Sequence, residues 1–318
     1  MKRIFLVVCA FVITAGLLLA GCGNKDSAQG SAGSVASAQG QLTVKVLDVG
    51  QGDAILIRTG AQTVLIDTGD AKFYEDGKKG QENNLLMAAL QKENVTVIDK
   101  LILTHAHADH IGRAPDVVEQ LNVKEIIYNG IPSTNKYFRQ TLKNAKDKGV
   151  QLTKVTAGTT VDLGNNVKFE VISPDEALVN KDSKILTDAD KKNDKQAEAN
   201  NESVVGILSF GSFKMMLTGD AEKEIEAGLV QKYGKSLECQ VLKAGHHGSK
   251  TSSSEAFLKA VKPKAALISA GANNQYHHPH PSTMKMYSAL GIMPYCTIEK
   301  GTITVTSDGN NFEITSEK

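Results

Sequence analysis

The sequence predicts an α/β fold in which two β-sheets are sandwiched between helices, and three observations predict it. The body opens on closely spaced strands joined by glycine-containing turns. Strand–helix alternation then follows twice over, and all eight histidines fall just after predicted strands. Such a pattern suits a layered domain whose sheets bury one face on each other and the other on helices. With 318 residues, 41% hydrophobic and 22% charged, the chain has material for a sizeable core. A wholly disordered chain and a disulfide-dense mini-scaffold are excluded. The formal net charge of +1 excludes a basic coat for nucleic acid.

Met1-Lys2-Arg3 followed by the apolar run Ile4 to Ala20 reads as a secretory signal rather than part of the fold. Leu19-Ala20-Gly21-Cys22 resembles the lipobox of bacterial lipoproteins, which implies a signal peptide over 1–21 and lipid on Cys22. Residues 22–41, rich in Gly, Ser, Ala and Gln, lack any apolar period and read as a flexible tether. The body, 42–318, is then expected outside the cytoplasm, held to the bacterial membrane by the Cys22 lipid. Loss of Lys2 and Arg3 with the signal leaves 34 basic residues against 35 acidic, a net of −1. Of four cysteines, Cys239 and Cys296 remain; both lie in apolar stretches and read as buried thiols, with one disulfide as the alternative.

Leu42 to Asp48 starts with period-2 alternation, and Ala54 to Arg58 and Thr63 to Asp67 follow as strands. Asn84 to Lys92 carries Leu85, Leu86, Ala89 and Leu90 at helical spacing, and Lys100 to Thr104 is a short apolar strand. Next come a helix around Pro115 to Leu121, strand Glu125 to Tyr128, helix Lys136 to Lys148, and strands near Thr160 and over Val167 to Ile172. Residues 178–200, rich in Lys, Asp and Asn, read as a polar insertion with partial helical character. A hairpin about Gly211-Ser212 pairs Ser203 to Phe210 with Phe213 to Leu217. Helix Ala221 to Tyr233, strand Cys239 to Lys243, helix Ser253 to Val261, strand Ala265 to Ser269, helix Ser282 to Leu290 and terminal strands complete the body.

The histidines form three clusters: His105/His107/His110, His246/His247 and His277/His278/His280. His105 and His107, two apart in an extended loop, project to one side, and Asp109 and His110 can turn toward a second centre. Four ligand-type side chains within six residues leave each other poorly satisfied unless a cation binds them, and imidazole with carboxylate suits Zn, Mn or Fe.

The run His105-Ala-His-Ala-Asp-His110 resembles the metal-binding signature of the metallo-β-lactamase superfamily, over about Leu42 to Ser307. Leu65-Ile-Asp-Thr-Gly69 looks like the motif whose Asp, here Asp67, supports the metal loop. Met216-Leu-Thr-Gly-Asp220 looks like the motif whose Asp bridges two metals. Further, Asp48-Val-Gly-Gln-Gly-Asp53, Lys243-Ala-Gly-His-His-Gly-Ser249 and Asn274-Gln-Tyr-His-His-Pro279 look like the extracellular hydrolase domain of the DNA-uptake protein ComEC. The resemblance implies an αββα sandwich and a stand-alone ComEC-type lipoprotein rather than a competence channel. One departure is that no His lies between His110 and His246, where many superfamily members place a third ligand for site one. Asn200-Asn-Glu-Ser203 stands there instead. Fewer nitrogens make site one harder, so Mn rivals Zn.

The resemblance implies His105, His107 and Asp220 at site one, and Asp109, His110, Asp220 and His278 at site two, with His277 as the alternative to His278. His280, between prolines, reads as part of a rigid loop. His246 and His247 admit two roles, metal ligation or phosphate stabilisation and proton donation, and Asp109 can orient the attacking water or take its proton. Lys243, Ser249, Lys250 and Asn274 are candidates to hold a substrate anion. For Gln51 and Asp53 an approach to the metal cleft and a plain tight turn stand level.

Two divalent ions, Zn or Mn, a phosphodiester substrate with single-stranded DNA among the candidates, and a membrane contact through Cys22 follow as expectations; no protein partner is readable. The function expected is a phosphodiesterase or nuclease. Competing readings are a phosphorylcholine-esterase-like or other small-ester hydrolase, with lactonase and β-lactamase activity ranked below, and a non-catalytic metal-binding lipoprotein.

Overall fold

In the computed structural model the described residues are 40–71, 84–187 and 196–318. The expected signal peptide, lipidated Cys22 and most of the tether lie outside them. Strands β1 (Leu42–Val46), β2 (Ile55–Arg58) and β3 (Thr63–Ile66) form an antiparallel meander. Helix α1 (Leu85–Lys92), β4 (Val97–Leu103), α2 (Ala108–Ile111), α3 (Ala114–Gln120), β5 (Asn122–Tyr128), α4 (Lys136–Lys148) and β6 (Gln151–Lys154) follow, with β4, β5 and β6 joining β3 in parallel.

The second half repeats the plan. Strands β7 (Thr160–Asp162) and β8 (Val167–Ser173) lead through α5 (Glu176–Thr187) to β9 (Val205–Phe210) and β10 (Phe213–Leu217), again antiparallel. Helix α6 (Lys223–Tyr233), β11 (Val241–Lys243), α7 (Glu255–Val261), β12 (Ala265–Ile268), α8 (Pro281–Ala289) and β13 (Met293–Cys296) extend that sheet in parallel. After α9 (Thr297–Lys300), β14 (Ile303–Ser307) and β15 (Phe312–Ser316) return to the first sheet beside β1. Among the described residues the sheets run β15-β14-β1-β2-β3-β4-β5-β6 and β13-β12-β11-β10-β9-β8-β7.

Period-2 side-chain alternation builds the layers. Ile55 and Ile57 of β2, Val64 and Ile66 of β3, and Met215 and Leu217 of β10 enter the core between the sheets, with Phe169, Leu208 and Phe213. The intervening Leu56 and Leu65, with Leu101 and Leu103, pack outward against Leu86, Leu90, Val117, Val118 and Phe138 of α1, α3 and α4. On the other sheet Met216, Leu242, Ala266 and Ile268 pack outward against Leu229, Phe257, Leu258, Val261 and Tyr287 of α6, α7 and α8. The result is the expected αββα order. Each fully buried aliphatic side chain contributes about 1.5–3 kcal/mol. Helix α4 shows how local sequence sets an element. Asn135 accepts from the Tyr137 N–H at its start, Phe138, Thr141 and Ala145 form its buried stripe, and Gly149 ends it at φ 68°.

Several boundaries differ from the sequence reading. Strand β6 was absent from it, because Gln151–Lys154 is an edge strand with little buried surface to impose a pattern. Strand β11 starts at Val241 rather than Cys239, although Gln240 ahead of it still donates its N–H to the Lys214 carbonyl and accepts from the Lys214 N–H through its side chain. The polar stretch 178–200 contains most of α5 and part of a 3-10 turn, Gln196–Glu202; 188–195 lie outside the described residues. Cys239 and Cys296 are buried free thiols, and burial pushes Cys239 up to about 12.

Candidate metal centre

The clustered side chains sit where strands end. Asp67 follows β3, Thr104 to His110 follow β4, Asp220 follows β10, His246 and His247 follow β11, and Ser269 follows β12. Asp53 lies just before β2, whose start pairs with the end of β3 (Ile55 opposite Ile66). Both sheets therefore deliver polar groups to one edge of the sandwich, where the parallel strands stop and their loops can splay apart. Two glycines let the backbones close up. A Cβ on Gly52 (φ 118°) would stand 2.1 Å from the Asp109 carbonyl oxygen, and one on Gly112 would meet Ala71 N at 2.3 Å.

Three histidines commit Nδ1 to an acceptor and turn Nε2 inward. His110 Nδ1 donates to Asp67 Oδ2 at 2.8 Å, leaving Nε2 at 3.1 Å from Asp220 Oδ2. His247 Nδ1 donates to the Ser269 carbonyl at 2.9 Å, leaving Nε2 at 3.2 Å from Asp109 Oδ2 and 3.6 Å from Asp220 Oδ2. Thr104 Oγ1 spends its proton on Asp67 Oδ2 (2.6 Å) and so accepts from His105 Nδ1 at 3.0 Å. The rings of His105 and His107 lie 4.7 Å apart, and those of His105 and His110 4.2 Å apart. His107 occupies the N-cap of α2 and Asp109 its first turn.

The donor set fits a cation. His105 Nε2, His110 Nε2 and Asp220 Oδ1 are buried without a hydrogen-bond partner, a costly state for buried polar atoms. Asp53, His110, Asp220 and His247 offer ligand-type atoms all within 4.8 Å of one another. The electrostatics agree. Burial alone would raise Asp220, but the His110 and His247 rings hold it well below the usual carboxylate range. Burial opposes charge on His247, yet Asp220, Asp109 and Asp53 push it up to about 10. Burial and then the neighbouring His247 and His246 push His278 down to about 4.

The remaining expected residues divide by position. His246 is partly exposed, with Nε2 3.8 Å from Asp220 Oδ2 and Nδ1 3.1 Å from both Glu222 Oε1 and Thr251 Oγ1. His278, half-buried, faces His246 and His247 at ring distances of 5.3 and 6.2 Å, whereas His277 is exposed. His280 caps α8, accepting from the Ser282 N–H. Asn274 holds the His278 loop, donating to the His278 carbonyl and accepting from its N–H. Lys250 lines a cavity of ≈ 420 Å³ with Glu222, Lys223, Glu224, Thr251 and Ser282.

Lys243 and Ser249 stand differently from anion holders at a rim. Lys243 is fully buried with Nζ 2.8 Å from Asp53 Oδ2, and buried Ser249 bonds Thr251 Oγ1 at 3.0 Å. The Lys243 ammonium is turned into the fold, because β11 lies between β10 and β12, whereas Ser249 is held in the turn after it, its Oγ accepting from the Thr251 N–H. Asp53 belongs with the cleft side of its two alternatives. Ser203, in the stretch that replaces a third site-one His, packs behind His105, with Oγ 3.3 Å from its Nδ1, and accepts from the Asp220 N–H. Sequence reasoning missed Glu222, Thr104 and Ser269; Thr104 and Glu222 lie one and two residues from a motif, whereas Ser269 carries no such local signal.

Residues 47–272 match the model of the Metallo-beta-lactamase superfamily. The chain is 33% identical over 270 residues to ComE operon protein 3 of Bacillus subtilis (strain 168), covering 82% of this chain and 32% of that protein. It is 31% identical over 254 residues to Competence protein ComA of Neisseria gonorrhoeae (80% and 30%), and 31% over 242 residues to Recombination protein 2 of Haemophilus influenzae (76% and 26%). The chain thus spans about a third or less of the length of these ComEC-type relatives. The fold is shared with the metallo-beta-lactamase fold protein YhfI from Bacillus subtilis (12% identity, 84% of this chain and 100% of that one, TM-score 0.51). It is shared too with CmlA, a diiron beta-hydroxylase from Streptomyces venezuelae (13% identity, 83% and 53%, TM-score 0.51). By the matched model and by the His and Asp loops at its strand ends, this chain belongs to the metallo-β-lactamase superfamily, with the metal-dependent hydrolase fold of that family.

Proposed function

We propose that the chain is an extracytoplasmic, membrane-anchored hydrolase with a dinuclear metal centre that cleaves phosphodiesters, single-stranded DNA being the substrate class to test first. The observation that carries this reading is that His105 Nε2, His110 Nε2 and Asp220 Oδ1 are buried without hydrogen-bond partners, with the His105 and His110 rings 4.2 Å apart and His110 Nε2 3.1 Å from Asp220 Oδ2. His105, His107 and Asp220 would hold one divalent cation, Zn or Mn. Asp109, His110, His247 and Asp220 would hold the second, with His278 at the rim. Such a pair supplies Lewis-acid polarisation of a phosphoryl oxygen and activation of water near neutral pH.

The chain's own groups do the rest. Asp109 is placed to orient the attacking water and take its proton. His246, its Nδ1 engaged by Glu222 and Thr251, keeps Nε2 beside Asp220 on a partly exposed ring, so it can protonate a leaving-group oxygen. Anchoring through Cys22 rests on the lipobox resemblance. The DNA reading is supported by the competence proteins among its relatives.

The test is to purify the chain, measure bound metal, and assay single-stranded DNA and bis-p-nitrophenyl phosphate with Mn or Zn. Metal-dependent turnover that His105→Ala abolishes supports the reading. Absence of turnover on both substrates, with His105→Ala indistinguishable from wild type, sinks it. Activity on DNA that falls steeply with salt separates a nuclease from a small-ester hydrolase.

A further inference from the structure

Asp53 and Lys243 form an ion pair that no water reaches. The Asp53 side chain is 2% exposed and the Lys243 side chain 1%, with Oδ2 and Nζ 2.8 Å apart, and Lys243 Nζ also donates to the Ala244 carbonyl at 2.8 Å. Asp53 Oδ1 makes no hydrogen bond and lies 3.3 Å from His247 Nδ1. The two nitrogens of an imidazole point away from each other. His247 Nδ1, the nitrogen nearest Asp53, is bonded to the Ser269 carbonyl, while Nε2 faces Asp109 and Asp220.

The backbone around Asp53 reaches both halves of the site. Its N–H donates to the Asp109 carbonyl at 3.1 Å, and its carbonyl accepts from the Gly69 N–H at 2.8 Å. Ser269, whose carbonyl accepts from His247 Nδ1, donates through Oγ to the Gly52 carbonyl at 2.6 Å. Gln51 Oε1 accepts from the Gly271 N–H at 3.2 Å. One short loop thus touches the Asp109 turn of the first sheet and the His247 and Ser269 strand ends of the second.

We infer that Asp53, its charge balanced by Lys243, is a positioning residue for His247 rather than a metal ligand, and that this loop sets the distance between the two halves of the metal centre. The inference rests on the metal reading above. It differs from a simple count of nearby ligand atoms, which places Asp53 inside the cluster. Lys243 is the reason. An Asp carboxylate already paired with a buried ammonium is poorly placed to serve a second cation.

The experiment compares wild type, Asp53→Asn, and the charge-balanced double variant Asp53→Asn/Lys243→Met in the full chain. Readouts are Mn and Zn stoichiometry and affinity, the visible spectrum of the Co-loaded protein, the thermal midpoint, and kcat and KM separately. Asp53→Asn leaves a buried ammonium unpaired and loses thermal stability, while the double variant recovers most of it. The expected result is that the double variant still binds every ion at saturation but roughly 10–100-fold more weakly, the scale seen when a group that orients a ligand is removed. A shifted Co spectrum and a fall in kcat larger than the change in KM accompany it. Wild-type affinity and spectrum in a folded double variant overturn the positioning role. Loss of one whole ion at saturation overturns it in favour of direct ligation. A wild-type chain that binds no divalent ion defeats the metal reading itself, and is recognised as such because no variant is then needed to see it.

Discussion

His110 Nδ1 lies 2.8 Å from Asp67 Oδ2 with both side chains buried, and the same carboxylate accepts from the Thr104 N–H and hydroxyl at 2.8 and 2.6 Å. Asp67 therefore fixes the ring that faces Asp220 and the strand end that carries His105. Its backbone, at φ 57°, also suits asparagine. In Asp67→Asn the side-chain N–H₂ meets a donor where a carboxylate oxygen had accepted from it. The expected cost is about 1–3 kcal/mol of stability and about 10–100-fold in metal affinity. Urea midpoints and a metal titration measure the two effects; a variant that keeps wild-type metal affinity refutes the support role.

Gly52→Ala tests how tightly the loops close. A Cβ at Gly52 would stand 2.1 Å from the Asp109 carbonyl oxygen on a backbone at φ 118°. Both contacts must yield, so the variant is expected to lose about 1–3 kcal/mol from backbone strain and to displace Asp109. Thermal melts and kcat on a phosphodiester report on it. Unchanged kcat would show that the Asp109 turn moves freely without harm.

Metal removal should be visible in stability without any substrate. A cation that binds only the folded chain stabilises it by about 2.7 kcal/mol when free ion is 100 times Kd. Dialysis against a chelator should lower the melting temperature, and readdition of Mn or Zn should restore it. Leu208→Ala, deep between the sheets and 0% exposed, is the control. It should cost about 2–5 kcal/mol while metal affinity stays at the wild-type value.

Tyr276 is 55% exposed and its ring stacks on His278 with centroids 5.7 Å apart. An aromatic face at the rim suits a nucleobase, and base stacking is worth about 1–3 kcal/mol by alanine substitution. Under the DNA reading, Tyr276→Ala should weaken binding of a short single-stranded oligonucleotide by roughly 5- to 150-fold. Tyr276→Phe should stay close to wild type. Fluorescence anisotropy with a labelled oligonucleotide decides it, and equal affinity for all three proteins removes Tyr276 from the substrate path.

By itself the sequence determined the layered α/β order and the segments that carry metal-type groups. Alternation such as Ile55, Leu56, Ile57 records two buried faces within one short strand. The His105 to His110 cluster is likewise local, so both are legible from neighbours a few residues apart. The edge strand β6 escaped because it buries too little to impose a pattern. What the tertiary structure alone decided are the relations across long sequence gaps. It decided that Lys243 is a buried partner of Asp53 and not a rim cation. It decided that His278 and not His277 turns toward His246. It decided, too, that Glu222 and Thr251 engage the His246 ring. These pairings depend on how two sheets pack and where their strands stop. A buried Lys and an exposed one are written with the same letter, and only the packing around it says which charge must lie beside it.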